Sequence, residues 1–352
     1  MNTRSRVLIL AASGLVAATA ITGYVVNAHD AAAGTGTGAG TTGSIDLRTS
    51  ETAGTPGTPG TPGTPGTATT ILFRDTAPGP EFGHVASVPA AHPGAAPTVS
   101  STLCDRFYAA HDTAVCLQRG GALPATYATV LDHSLHQVRQ VKTAGFPNRA
   151  RVSASGTMVS WTTFVQGDSY LSDDFSTRTS ILDTKTGRLV DTIESIPLTL
   201  DGKPYHAADV NYWGVTFAAD DNTFYATVRT GGRTYLVQGD YRAWTARTLR
   251  ENVECPSLSP DGTRLVFKKR VDASANRPWR LYVLDLRTMV ETPLAEEHSI
   301  DDQAAWLDDH TVMYGRPRQT GGDWDVWAVP ADGGGEPRVL IPDASSPTPL
   351  GG

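Results

Sequence analysis

Three spacings in this 352-residue chain have residue types that could do chemistry. Gly167-Asp168-Ser169 has the opening of a Gly-Asp-Ser esterase signature, in which the serine is the nucleophile. That motif belongs near the start of an α/β domain, whereas here it falls in a loop between strands. No G-x-S-x-G elbow exists, and no hydrolase domain follows at the C-terminus. His133 and His136 are three apart but lie in a hairpin turn without a third ligand nearby. Asp220-Asp221, Asp301-Asp302 and Asp308-Asp309 have the look of metal chelators, yet the first and third coincide with turns whose structural role is sufficient. No catalytic residue, metal site or cofactor is assigned, and a non-enzymatic protein is expected.

Stepping outward from these residues, the feature that must position them is an internal repeat. Its sharpest copy is Pro256-Ser-Leu-Ser-Pro-Asp-Gly-Thr-Arg-Leu-Val-Phe267: a short strand, a Pro-Asp-Gly turn and an alternating strand. Asp and Gly suit the turn because tight hairpins place residues at positive φ, which glycine adopts without steric cost. Weaker copies run over residues 107–116, 152–161, 217–225 and 306–314. Their turn anchors are Asp112, Gly156, Asp221, Gly262 and Asp309, spaced 44, 65, 41 and 47 apart. A second hairpin follows each anchor, best seen in Trp279-Arg-Leu-Tyr-Val-Leu-Asp285 and Trp324-Asp-Val-Trp-Ala-Val-Pro330. A further copy at Gly83–Pro89 makes six.

Four short strands per roughly 45 residues is the blade of a β-propeller. The reading is all-β: a six-bladed propeller of four-stranded blades over residues 71–352, preceded by a hydrophobic N-terminal helix and a linker. The first blade lacks its own innermost strand. Either the tail Ala344–Leu350 or the island Ile45–Ser50 must supply it, and the tail, which follows the last blade in phase, is slightly preferred. The long third interval requires excursions at Gln166–Thr177 and Pro197–Asp209.

The unit Ser259-Pro-Asp-Gly-Thr-Arg-Leu-Val-Phe267 followed by Leu281-Tyr-Val-Leu-Asp285 resembles the WD-like repeat of TolB-like propellers. Residues 71–352 as a whole resemble the exported TolB-like proteins of actinobacteria. One blade matches sharply, a second fairly and four in outline. The resemblance implies a six-bladed ring and a protein-binding or scaffold role, without carrying over the partners of TolB itself. TolB proper has an extra N-terminal α/β domain, and here a low-complexity stretch stands in that place.

In such a ring the inner strands begin at one mouth of a central channel. Repeat alignment puts Asp105, Asn148, Arg149, Asn211, Glu254, Asp301 and Asp302 there. Carboxylates beside an arginine suit a cation or a basic peptide; equally, any channel mouth is wet and therefore polar. A metal held there, in a propeller enzyme of lactonase or hydrolase type, is the alternative function. Tyr212 and Trp213, beside this rim, suit either blade packing or an exposed aromatic anchor.

The remaining segments carry cellular signals. Arg4 and Arg6 precede an uncharged run from Val7 to Val26, long enough at about 30 Å to cross a bilayer as a helix. Residues 1–28 are therefore read as a signal-anchor helix holding an extracytoplasmic protein in the membrane, or as a cleaved secretory signal. Residues 29–70, with four Thr-Pro-Gly copies at Thr55–Gly66, have no apolar face to offset the entropy of ordering and read as a disordered linker. Cys104 and Cys116, equidistant from Ala110, are expected to face one another across a hairpin as a disulfide, leaving Cys255 free. The net charge of −7 offers no basic stripe, so nucleic acid is not expected. The expected partner is an envelope or secreted protein or peptide, bound by a monomer.

Overall fold

A computed structural model of the chain describes residues 41–48, 69–121, 125–165, 176–272, 278–318 and 323–351. Every described strand belongs to one of six sheets. The fifth is the plainest: Glu254–Leu258 turns through Pro260-Asp261-Gly262 into Arg264–Arg270, which pairs with Trp279–Asp285, then Glu291–Pro293. Gly262 adopts φ 70°, as the turn chemistry requires. Asp221 (φ 52°) and Gly156 (φ 77°) do the same in their blades, while His111 rather than Asp112 takes the left-handed position in the second.

Alternation explains the ring. Successive side chains of a strand point to opposite faces, so each sheet has two apolar faces and no layer of its own to cover them. Along Arg264–Arg270, Leu265 and Phe267 pack with Tyr225 and Leu236 of the fourth blade. Val266, between them, packs with Trp306 and Tyr314 of the sixth. The same division recurs at every junction: six apolar clusters each lie between two neighbouring blades. The innermost strands touch in order around the channel, from Ala344–Leu350 through Arg106–Ala110, Phe146–Val152, Asn211–Phe217, Glu254–Leu258 and Ala305–Asp308 back to the start.

The tail closes the ring. Ala344–Leu350 is the innermost strand of the first sheet, antiparallel to Thr70–Asp75. Pro347 and Pro349 cannot donate to a ladder; Pro347 falls in the register shift between Leu72 and Arg74, while Pro349 stays in register opposite Ile71. The described part of the competing island, residues 45–48, is not a strand. Ile45 and Leu47 are buried instead in the cluster between the first and second blades, with Leu47 N donating to His133 O at 2.7 Å. His133 itself meets Asp46 at 3.1 Å.

Two expectations about architecture are corrected. Not all blades have four strands: Thr41–Thr42 adds a fifth, parallel strand to the first sheet. Leu198–Leu200 and Lys203–Tyr205 extend the fourth sheet to six, because the long third interval folds into a hairpin that finds an open edge at Thr245–Glu251. The hydrophobic N-terminal helix is withdrawn, and with it the membrane contact and the anchored location. Among the described residues no helix is long and apolar enough to cross a membrane, and the helical element there is the single 3-10 turn Ile193–Ser195. Residues 1–28, the Thr-Pro-Gly copies and Gly167-Asp168-Ser169 lie outside the described residues.

Candidate functional site

The structure decides which of the residues expected at the mouth meet one another. Four of the expected residues join one charge network. Arg149, from the inner strand of the third blade, is buried and reaches across the channel. Its Nη2 lies 3.4 Å from Asp301 Oδ1 and its Nη1 3.9 Å from Asp302 Oδ1. Glu254, on the fifth blade's inner strand, is the register partner of Lys268 on the next strand, and their charged groups stand 3.9 Å apart. Lys268 Nζ also donates to Asp301 at 2.5 Å.

Three members escaped the sequence reading. Arg106 pairs with the buried Asp302 at 3.0 Å, Lys268 links the two carboxylates, and Cys255 Sγ lies 3.5 Å from Arg149 Nε. Lys268 was legible only in part: counting back from the Pro-Asp-Gly turn sets it beside Cys255, and a register shift between Glu254 and Ser257 brings it opposite Glu254. Arg106 was hidden by a one-residue misplacement at Asp105.

Electrostatics follow from this pairing. Burial works against the Arg149 cation, but Cys255, Asp302 and Asp301 outweigh it and hold its pKa above the ordinary arginine value. Burial likewise raises Asp301, and there the Lys268 and Arg149 cations win, so its carboxyl sits below the usual range. For Glu254 burial prevails over Lys268 and Arg270, and its carboxyl is pushed up.

The other expected residues serve elsewhere. Asn148 is buried beside Arg149 and lines the narrow neck of the channel, a space of about 20 Å³ that would hold one water. Asp105 accepts from Arg119 N at 2.7 Å and pairs with the Arg119 side chain. Asn211 latches two blades: it accepts from Thr177 N and Oγ1 and donates to Thr177 O and Glu194. Tyr212 and Trp213 are buried; Tyr212 lies within the cluster between the third and fourth blades, where blade packing is its role, whereas Trp213 borders a cleft.

Two clefts open beside the network. One, of about 480 Å³, is rimmed by Arg229, Arg233, Arg270, Trp213 and Trp279. The other, of about 430 Å³, includes Arg74, Arg106, Arg119, Phe146 and Trp324. Trp279 is sandwiched by cations, with Lys268 Nζ 4.5 Å and the Arg270 guanidinium 4.4 Å from its ring centre. A metal at this mouth does not fit the residues present. The carboxylates of Glu254, Asp301 and Asp302 are turned to cations, and among the described residues no group of three or more His, Cys, Asp or Glu side chains could hold a metal ion.

The channel's far end differs in character. Where the inner strands finish, all six blades line a funnel of about 260 Å³ with Phe217, Leu258, Trp306, Leu307 and Leu350 among its walls. Between the two mouths stands Arg151, lining both the neck and the funnel.

Near the first mouth, Cys104 and Cys116 form a disulfide with Cα atoms 5.5 Å apart. They are not the facing pair that symmetry about Ala110 implied. The ladder partner of Cys116 is Phe107, because the turn centres three residues' worth of register later; Cys104 reaches it from just before the strand.

No family model and no curated protein matches this sequence. Among solved structures, TolB from Acinetobacter baumannii is 13% identical with a TM-score of 0.53, covering 79% of this chain and 66% of that one. The chain therefore spans just under two thirds of that relative's length. A TolB-like protein from Agrobacterium tumefaciens is 11% identical (TM-score 0.45; 81% of this chain, 94% of that one). An oligogalacturonate lyase from Vibrio parahaemolyticus is 12% identical (TM-score 0.45; 70% and 72%). At such identities the likeness to TolB shows a β-propeller fold and no more.

Proposed function

We propose that this propeller is a polypeptide-binding module that takes its partner across the charged mouth, and that it carries out no reaction of its own. The observation that carries this reading is the pairing at the mouth. Its charges neutralise one another, Arg149, Lys268 and Asp302 from buried positions and Asp301 from an exposed one, and rigidify the rim, while arginines and tryptophans line two clefts beside it. Arg and Trp are the residues that supply most binding energy at protein interfaces, through large area and planar hydrogen bonding. A rim already ordered by its own ion pairs loses little entropy on association. The six arginines lining the clefts outnumber the lining carboxylates Asp105, Glu251 and Glu254, of which the first two pair with Arg119 and Arg233; the surplus gives the face a cationic fringe on an otherwise acidic chain, which suits a partner segment bearing carboxylates.

The test is differential capture. The immobilised full chain, its Trp279→Ala and Arg270→Glu variants, and a Leu307→Trp variant altered at the opposite mouth are exposed to extract of the source cells. Bound proteins are then quantified by mass spectrometry. A protein retained by the parent and by Leu307→Trp, and reduced about tenfold or more by either mouth substitution, supports the reading. If no retained protein depends on Trp279 or Arg270, the charged mouth is not the binding face.

A further inference from the structure

The funnel at the opposite end poses a separate problem in charge. Arg151 is 4% exposed, and a guanidinium stays protonated at any ordinary pH. The neighbouring Arg149 has two carboxylates for company, but Arg151 has no ion pair among the described residues. Its Nη2 donates to Ala304 O at 3.0 Å, its plane lies 4.2 Å from the Tyr108 ring centre, and its buried Nε has no acceptor. A buried cation with a vacant donor is costly unless an anion completes it. It lines two open spaces: the neck, which at about 20 Å³ admits no more than a water, and the funnel, which is large enough for a ligand.

We infer that this funnel binds a small amphipathic monocarboxylate, with its head toward Arg151 and its apolar body along Phe217, Leu258, Leu307 and Leu350. Three features select that chemistry. A guanidinium edge matches a carboxylate's two oxygens. Arg151 is the one Lys or Arg among the lining residues, which suits a single negative charge better than a phosphate dianion. At about 260 Å³ the space falls just below the roughly 300–1,000 Å³ of drug-sized sites, so the body is short. Asp261 at the rim is ionised: Ser259 and Thr263 donate to it and Arg264 pairs with it, and against the opposition of burial these contacts bring its pKa down to about 2. The Arg264 cation, 3.1 Å away, offsets that negative charge at the rim. The inference is independent of the polypeptide reading, which concerns the other mouth.

Octanoate is the probe, titrated calorimetrically into the full chain beside 1-octanol and octylamine. The expected result is one octanoate per chain, bound about tenfold or more tightly than octanol, with no octylamine binding. Arg151→Gln should remove the preference for octanoate over octanol. Because that variant disturbs a buried site, Leu307→Trp, which fills the funnel from a half-buried position, gives a second test and should abolish octanoate binding while the far-ultraviolet spectrum is unchanged. Equal affinity for octanoate and octanol, or octanoate binding that survives Leu307→Trp, would overturn the inference. So would tighter binding of a Leu-Leu-terminated peptide with a free carboxylate than of octanoate, since the ligand would then be a chain terminus.

Discussion

Thr69 and Leu350 stand 281 positions apart in the chain, yet Thr69 N donates to Leu350 O at 2.8 Å. This bond begins the ladder by which the last strand becomes the innermost strand of the first blade. The first and last parts of the fold are thereby stitched into one sheet, and a ring with no seam cannot unfold blade by blade without first breaking that ladder.

Truncation before Ala344 should expose the inner faces of the first and sixth blades, where Ala344 packs with Ile71, Phe73 and Met313. A loss of several kcal/mol is expected from the apolar area uncovered, lowering Tm by about 10 °C or more. Differential scanning calorimetry checks it; an unchanged transition would mean the tail is dispensable for closure.

Loss of the Cys104–Cys116 bridge, whose partners are 12 positions apart, should cost about 2–3 kcal/mol by freeing the unfolded chain. The urea midpoint of the parent should fall in dithiothreitol, and that of a Cys104→Ala/Cys116→Ala variant should ignore it.

Two buried carboxylates should respond to pH with opposite sign. Glu296 accepts from Tyr314, Arg316 and His298, and these contacts overcome burial to hold its pKa below the ordinary 4.5. A depressed carboxyl stabilises the fold above its unfolded pKa and loses that contribution as pH falls through the folded value. Glu296→Gln should therefore be less stable than the parent at pH 7, with the gap closing below about pH 4.5. Glu254, raised by burial, behaves in reverse: its contribution is complete below its unfolded pKa and is lost as pH rises through the folded value. Glu254→Gln should gain on the parent as pH climbs from 4.5 to 7. Urea titrations at several pH values would reveal parallel curves if neither group were linked to folding.

Gly262 and Gly214 both have positive φ, 70° and 65°, but different surroundings. A Cβ on Gly262 meets nothing within 4 Å, whereas one on Gly214 would stand 2.8 Å from the Cys255 Cα on the neighbouring blade. Gly262→Ala should cost about 1–2 kcal/mol, the left-handed penalty alone. Gly214→Ala must add the displacement of a backbone and should cost clearly more. Equal losses in chemical denaturation would show that the blades yield to admit a methyl group.

Much of the fold is legible in the residues because its causes are local. Strand alternation has a period of two, and Pro260-Asp261-Gly262 specifies its own turn, so blade number and the mouth end of each inner strand follow from one blade's worth of sequence at a time. The Glu254–Lys268 pair lies one step outside that count, because a register shift between Glu254 and Ser257 moves the partner by one residue. The candidate sites are another matter. Arg149 meets Asp301 and Asp302 from three blades away, Arg106 takes Asp302 across the ring closure, and Arg151 is left without a carboxylate by the same arrangement. These neighbours share no period, spacing or turn. They are set by how far each sheet twists and how closely six sheets pack about one axis, and that is decided only when every apolar face has found the blade beside it.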